Sequence, residues 1–122
     1  SDGHDEDVLH MGTLEALEDL KRAGLVRAVG FSGKTVAGGL AAVERCDVVM
    51  VTLSSSYRDE LPVVNAAVAK GCGVLVKKAF GSGHAVAGDA LAWVAAHEGV
   101  SSIVIGTRDP DHLEANCRSL PP

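Results

Sequence analysis

The sequence predicts an α/β protein with a parallel sheet. Short apolar, β-branched runs open near residues 25, 47, 73 and 102, and a stretch of helical spacing follows each. The intervals, roughly 22 to 29 residues, suit right-handed crossovers between parallel strands. The chain is 47% hydrophobic but only 3% aromatic, so its core must be Ala, Val, Leu and Ile, as in packed strand–helix layers. Its 122 residues suffice for one domain, 1–122. Two architectures fit: a small open doubly wound sheet, or half of an eight-stranded barrel, since four strands cannot close such a barrel.

Each element has a local reason. Residues Ser1 to Met11 are polar and read as an exposed loop; a metal site from His4, Asp5 and Asp7 is the alternative. Thr13 caps a helix to about Ala23 that carries Leu14, Leu17 and Leu20, and Gly24 stops it. Leu25 to Phe31 is a strand, Ser32-Gly33-Lys34 a turn, and Thr35 caps a helix to about Arg45. Within it, Gly38-Gly39 either weakens the helix or brings it close against a neighbour. Asp47 to Thr52 is the next strand, followed by the polar loop SSSYRDE. Pro62 stands near the start of a helix that reaches Lys70 and ends at Gly71, and Cys72 to Lys77 is the third strand. A helix from about Asp89 to His97 closes at Gly99. Ser101 to Ile105 then reads as a strand buried on both faces, Gly106 as a turn, Asp109 as an N-cap and Pro110 as the first helical residue.

Composition excludes several functions. A net charge of −5 argues against a general nucleic-acid or anionic-membrane binder. No run approaches ~18 apolar residues, the length of a transmembrane helix, and no signal-peptide pattern opens the sequence. Cys46, Cys72 and Cys117 are odd in number and unclustered, which suits reduced, half-buried thiols and a cytoplasmic location. Zinc-ligand spacing is absent.

Ligands of both architectures sit just past the C-terminal ends of the strands. Those positions hold Ser32-Gly33-Lys34, Thr52, Ser54 to Arg58, Lys77 to Gly83 and Gly106 to Asp109. Small hydroxyls, glycines, lysines and arginines suit a polyanion cradle more than a reaction centre. At the last turn, helix-start N–H groups and the Arg108 fork suit a phosphate; an ordinary strand-to-helix turn is the alternative. His84 and Tyr57 are proton-transfer candidates or structural hydrogen-bonding groups. One of Lys77 and Lys78 must point inward, to pair with an acid, to bind a phosphate or, less readily, to act as a Schiff-base nucleophile.

Four stretches carry a resemblance: TLEALEDLKRAGLVRAVGFS, CDVVMVTLSSSYRDE, KGCGVLVKKAFGSG and HEGVSSIVIGTRDPDHLEAN. In this order they resemble the C-terminal half of the aldo/keto reductases, (β/α)8 barrels that reduce carbonyls with a nicotinamide cofactor. The resemblance implies NADP(H) as cofactor. Ser32 would hydrogen-bond the nicotinamide carboxamide, and the loop with Lys78, Phe80, Gly81 and Ser82 would wrap the pyrophosphate. Gly106, Thr107 and Arg108 would hold the 2′-phosphate, and His112 and Asn116 would complete the cofactor site, with Asn116 at the adenine. Departures from the family pattern are Gly33 for Asn, Met50 for Gln, Lys77 for a stacking Tyr and Ala115 for Glu. The family's catalytic Asp, Tyr, Lys and His have no counterpart here, so the resemblance implies a cofactor-binding fragment, inactive alone, whose complete enzyme takes a small carbonyl substrate. The alternative is a non-catalytic half-barrel that self-associates, or pairs with a missing N-terminal half, through open sheet edges.

Overall fold

The computed structural model describes residues 4–81 and 87–122. Six helices and four strands alternate after a helical start: α1 (Asp5–His10), α2 (Thr13–Arg22), β1 (Gly30–Ser32), α3 (Val36–Arg45), β2 (Val48–Thr52), α4 (Leu61–Lys70), β3 (Gly73–Lys77), α5 (Ala87–Ala95), β4 (Val100–Ile103) and α6 (Pro110–Arg118). The strands form one sheet in the order β1-β2-β3-β4, all parallel. A doubly wound sheet reverses its strand order at a switch point. This sheet never does, so it is a stretch of barrel wall.

Burial divides the sheet by face. Val49 and Val51 of β2 and Val74 and Val76 of β3 are buried in one apolar cluster with Ala42 and Val43 of α3 and Val63, Val64 and Ala67 of α4. The alternate residues Val48, Met50 and Leu75 are only partly covered. With Gly30, Phe31 and Ser32 they line a shallow cavity of about 200 Å³ on the opposite face. Period-2 alternation sends neighbours to opposite sides, so helices cover one face and leave open the side that faces a barrel interior. Gly39 allows α3 and α4 to meet: a Cβ there would lie 2.7 Å from Val63 Cγ2. The glycine pair is therefore a packing device.

Several local expectations change. Residues 5–10 are not an exposed loop: they form α1, with Leu9 in the core and Asp5 fully buried, while residues 1–3 lie outside the described residues. His4 and Asp7 make an exposed 3.3 Å contact while Asp5 turns inward, so the three do not converge on a metal. Gly12, with φ 84°, is the N-cap of α2, and Thr13 is its first helical residue. The strand expected over Leu25 to Phe31 shrinks to Gly30–Ser32. Ahead of it, the Val29 N–H donates to the Asp47 carboxylate at 2.9 Å, and Lys21 grips the same carboxylate at 2.7 Å. These bonds, with Lys21's first, hold the Asp47 carboxyl below its usual range.

The last strand is not buried on both faces. Ser101 and Ser102 are exposed, as befits the sheet edge. Register slips at Val74/Leu75, where the Val74 N–H donates to Ser101 Oγ at 3.2 Å. Cys46 and Cys72 are buried and Cys117 is exposed, all three free. Among the described residues no helix is long and apolar enough to cross a membrane.

Candidate functional site

β1, β2 and β3 end on Ser32, Thr52 and Lys77, which share one polar rim. Lys77 reaches across the end of β2. Its Nζ donates to Ser32 Oγ at 3.0 Å and to the Gly33 carbonyl at 2.8 Å. Of the two lysines it is therefore the inward one, and its partners are neutral oxygens, not the acid weighed for it.

Two buried carboxylates brace this corner. Asp5 Oδ2 accepts from the backbone N–H of Lys34 at 2.6 Å, the N–H of Thr35 at 2.8 Å and Thr35 Oγ1 at 3.1 Å. It thus occupies the turn that leads into α3, whose own cap is Thr35 Oγ1 accepting from the Gly38 N–H at 3.0 Å. A Cβ on Gly33 would lie 2.9 Å from Asp5 Oδ2, and one on Gly38 would collide with Asp5 Cβ. A side chain at Gly33 would therefore crowd the Asp5 carboxylate. Glu60 is the second brace. It precedes α4 but does not cap it; its Oε2 accepts from the Thr52 N–H at 2.7 Å, which pins the end of β2. Burial pushes the Glu60 carboxyl up, against the Thr52 bonds and the charge of Lys77.

Above the braces lies a cleft of about 450 Å³. Lys34, Lys77 and Lys78, the hydroxyls of Thr52, Ser54, Ser56 and Tyr57, and Gly81 line it, and none of these residues is acidic. Lys78 holds a left-handed φ of 58° and Gly81 one of 60°, so the chain doubles back there. A Cβ on Gly81 would lie 2.6 Å from Ser56 Oγ, so only glycine brings this loop onto the serine loop. Arg58 braces that serine loop from outside, with its Nε on the Ser55 carbonyl at 3.1 Å and its guanidinium 4.8 Å over the Trp93 ring. Partial burial, then the charges of Glu60 and Asp59, push the Tyr57 phenol up. Phe80 is half-buried against the apolar core. Ser82 and His84 lie outside the described residues.

The second rim, after β4, is built differently. Gly106, Thr107 and Arg108 are exposed. The Asp109 N–H donates to Thr107 Oγ1 at 3.2 Å, and Asp109 Oδ1 caps α6 by accepting from the Asp111 N–H at 2.9 Å. One helix-start donor is therefore engaged by the protein's own carboxylate. His112 is exposed, 3.7 Å from Asp109, and Asn116 is the buried residue of α6. The structure thus brings Ser32, Lys78 and Gly81 to one corner and Gly106, Thr107, Arg108 and His112 to another.

No family model and no curated protein matches the chain. Two solved structures from Pseudomonas aeruginosa, assigned as aldo-keto reductases, are similar to 98% of it, with 42% sequence identity and a TM-score of 0.90. The chain is half of an aldo-keto reductase barrel. It spans 46% of one of those structures and 47% of the other. The four consecutive parallel strands correspond to the C-terminal half, and in this aldo-keto reductase half-barrel the open face with Met50 and Leu75 is the interior of the wall. Of the residues that organise the rim, Glu60 carries no site reading in the sequence, and Asp5 enters there only in the alternative metal set with His4 and Asp7. The available signals were an apolar Leu9 four residues after Asp5, and an acid placed directly before a Pro-started helix.

Proposed function

We propose that this chain is the cofactor-binding half of an NADP(H)-dependent aldo-keto reductase. The observation that carries the reading is the cleft lined, among the described residues, by Lys34, Lys77, Lys78 and four hydroxyl side chains at the strand ends, with no acid among them. Lysine ammonium groups and hydroxyls complement phosphate oxygens, and glycines permit close backbone approach. Bound dinucleotide would supply a hydride for a carbonyl carbon. This chain's part is to hold and orient it: Ser32 against the carboxamide, and the Lys78–Ser82 loop against the pyrophosphate. Gly106, Thr107 and Arg108 would hold the 2′-phosphate, with His112 and Asn116 toward the adenine. The proton for the carbonyl oxygen has no assigned donor in this chain.

Titration of the purified protein with NADPH and NADH, followed by calorimetry, tests the reading. NADPH should bind saturably and more tightly than NADH, and Arg108→Ala should abolish the difference. Absence of saturable binding would remove the proposal. A second reading rests on the partly covered inner face of Val48, Met50 and Leu75 and on the edge strands β1 and β4. Here the chain works as an assembly module, its apolar face covered by a second copy or a complementary half-barrel. A monomeric mass by light scattering, with that face still accessible to an apolar dye, would exclude self-association.

A further inference from the structure

We propose that Lys77 biases the cofactor site toward the reduced dinucleotide. The inference rests on the reading that Ser32 faces the nicotinamide carboxamide. It goes further by assigning Lys77, so far only one of the cations that line the cleft, a part in choosing the redox form.

An oxidised nicotinamide ring carries a formal positive charge, and the reduced ring is neutral. Lys77 Nζ lies 3.0 Å from Ser32 Oγ and 2.8 Å from the Gly33 carbonyl, at the end of β1 where the ring's amide would be held. Both hydrogen-bond partners are neutral oxygens, and among the described residues no carboxylate lies within ion-pair distance of the ammonium, Glu60 acting on it only from further off. The carboxylates that bear on this corner, Asp5 and Glu60, are each held by backbone N–H groups, those of Lys34 and Thr35 for Asp5 and that of Thr52 for Glu60. They remain in place when Lys77 changes, so removal of the ammonium takes one positive charge from beside Ser32. Beside Ser32 in the sheet stands Met50, which brings no hydrogen-bond donor to compete with the lysine. A fixed cation close to a ring that is cationic in one form and neutral in the other favours the neutral form. Lys77 also accounts for the orientation of Ser32: it donates to the serine oxygen, which leaves the serine hydroxyl hydrogen to point at an acceptor.

The test is the ratio of NADP+ to NADPH dissociation constants, measured by calorimetry on the protein and on Lys77→Met. Phosphate and adenine contacts are common to both forms and cancel in the ratio. Lys77→Met should lower the ratio about tenfold, the order expected for one charge acting at a few ångströms through a partly solvated surface. Lys77→Arg, which keeps the charge, should leave it within about twofold. Should Lys77→Met fail to fold by circular dichroism, Lys77→Gln takes its place with the same expectation. An unchanged ratio, including equal weakening of both forms, overturns the inference and leaves the dinucleotide reading intact. Failure of the unmodified protein to bind either form overturns that reading and the inference with it.

Discussion

The two polar corners at the strand ends were built by different means. The β1–β3 corner is braced from below: Asp5 holds the turn into α3, Glu60 pins the end of β2, and Lys77 ties β3 to β1. The β4–α6 corner is held by local bonds among Thr107, Asp109 and Asp111, and its side chains are exposed. A ring that must be presented for reaction needs a rigid seat, whereas a terminal phosphate needs a cation within reach. Changes at the first corner should therefore act on stability and ligand geometry together. Changes at the second should act on affinity alone.

The largest expected effect breaks the first corner. Gly38→Ala drives a methyl into Asp5, and Asp5→Ala leaves the Lys34 and Thr35 N–H groups without their acceptor. Each should cost about 2–3 kcal/mol, read as a lower urea midpoint with faster amide exchange at Lys34 and Thr35. Retained stability in Asp5→Ala would contradict the bracing role.

Glu60 sharpens the comparison through pH. Burial raises its folded-state pKa above the unfolded value near 4.5. Its contribution is therefore fully present below that value and is lost as pH rises through the folded-state pKa. Thermal melts of the native protein should fall across that window relative to Glu60→Gln, whose neutral amide can keep the bond from Thr52. Parallel curves would mean that Glu60 does not titrate in this environment.

Arg108→Ala belongs to the other corner. It should weaken NADPH binding about tenfold and leave NADH binding unchanged. Stability should shift by less than about 0.5 kcal/mol, because the side chain is exposed. The smallest effect is expected outside both corners: Glu44→Gln breaks the exposed Lys70–Glu44 pair and should change stability by less than about 0.5 kcal/mol.

Sequence reading succeeded where structure is set by near neighbours. Thr35 and Asp109 cap their helices as their positions imply, Gly71 ends α4 with a left-handed φ of 70°, and the Gly38-Gly39 pair marks close packing. It fell short where a distant partner decides. The segment DEDVLH carries one strongly buried apolar side chain, Leu9, and its helix depends on Asp5 meeting a turn 29 residues later. The strand before Phe31 looks continuous, yet Val29 is drawn to the Asp47 carboxylate and ordered pairing begins only at Gly30. Ile103 and its neighbours resemble a buried strand, but their place at the sheet edge leaves Ser101 and Ser102 in water. Glu60 gives no sequence signal of its role because the N–H it accepts from belongs to Thr52, on the far side of a loop.

Whether these strand ends form a nicotinamide-dinucleotide site with a 2′-phosphate pocket is decided by calorimetric titration of purified protein containing this chain, with NADPH and NADH side by side. Saturable NADPH binding, tighter than NADH by a margin that Arg108→Ala removes, is expected. Binding of neither dinucleotide, or equal binding of both with no response to Arg108→Ala, would contradict it.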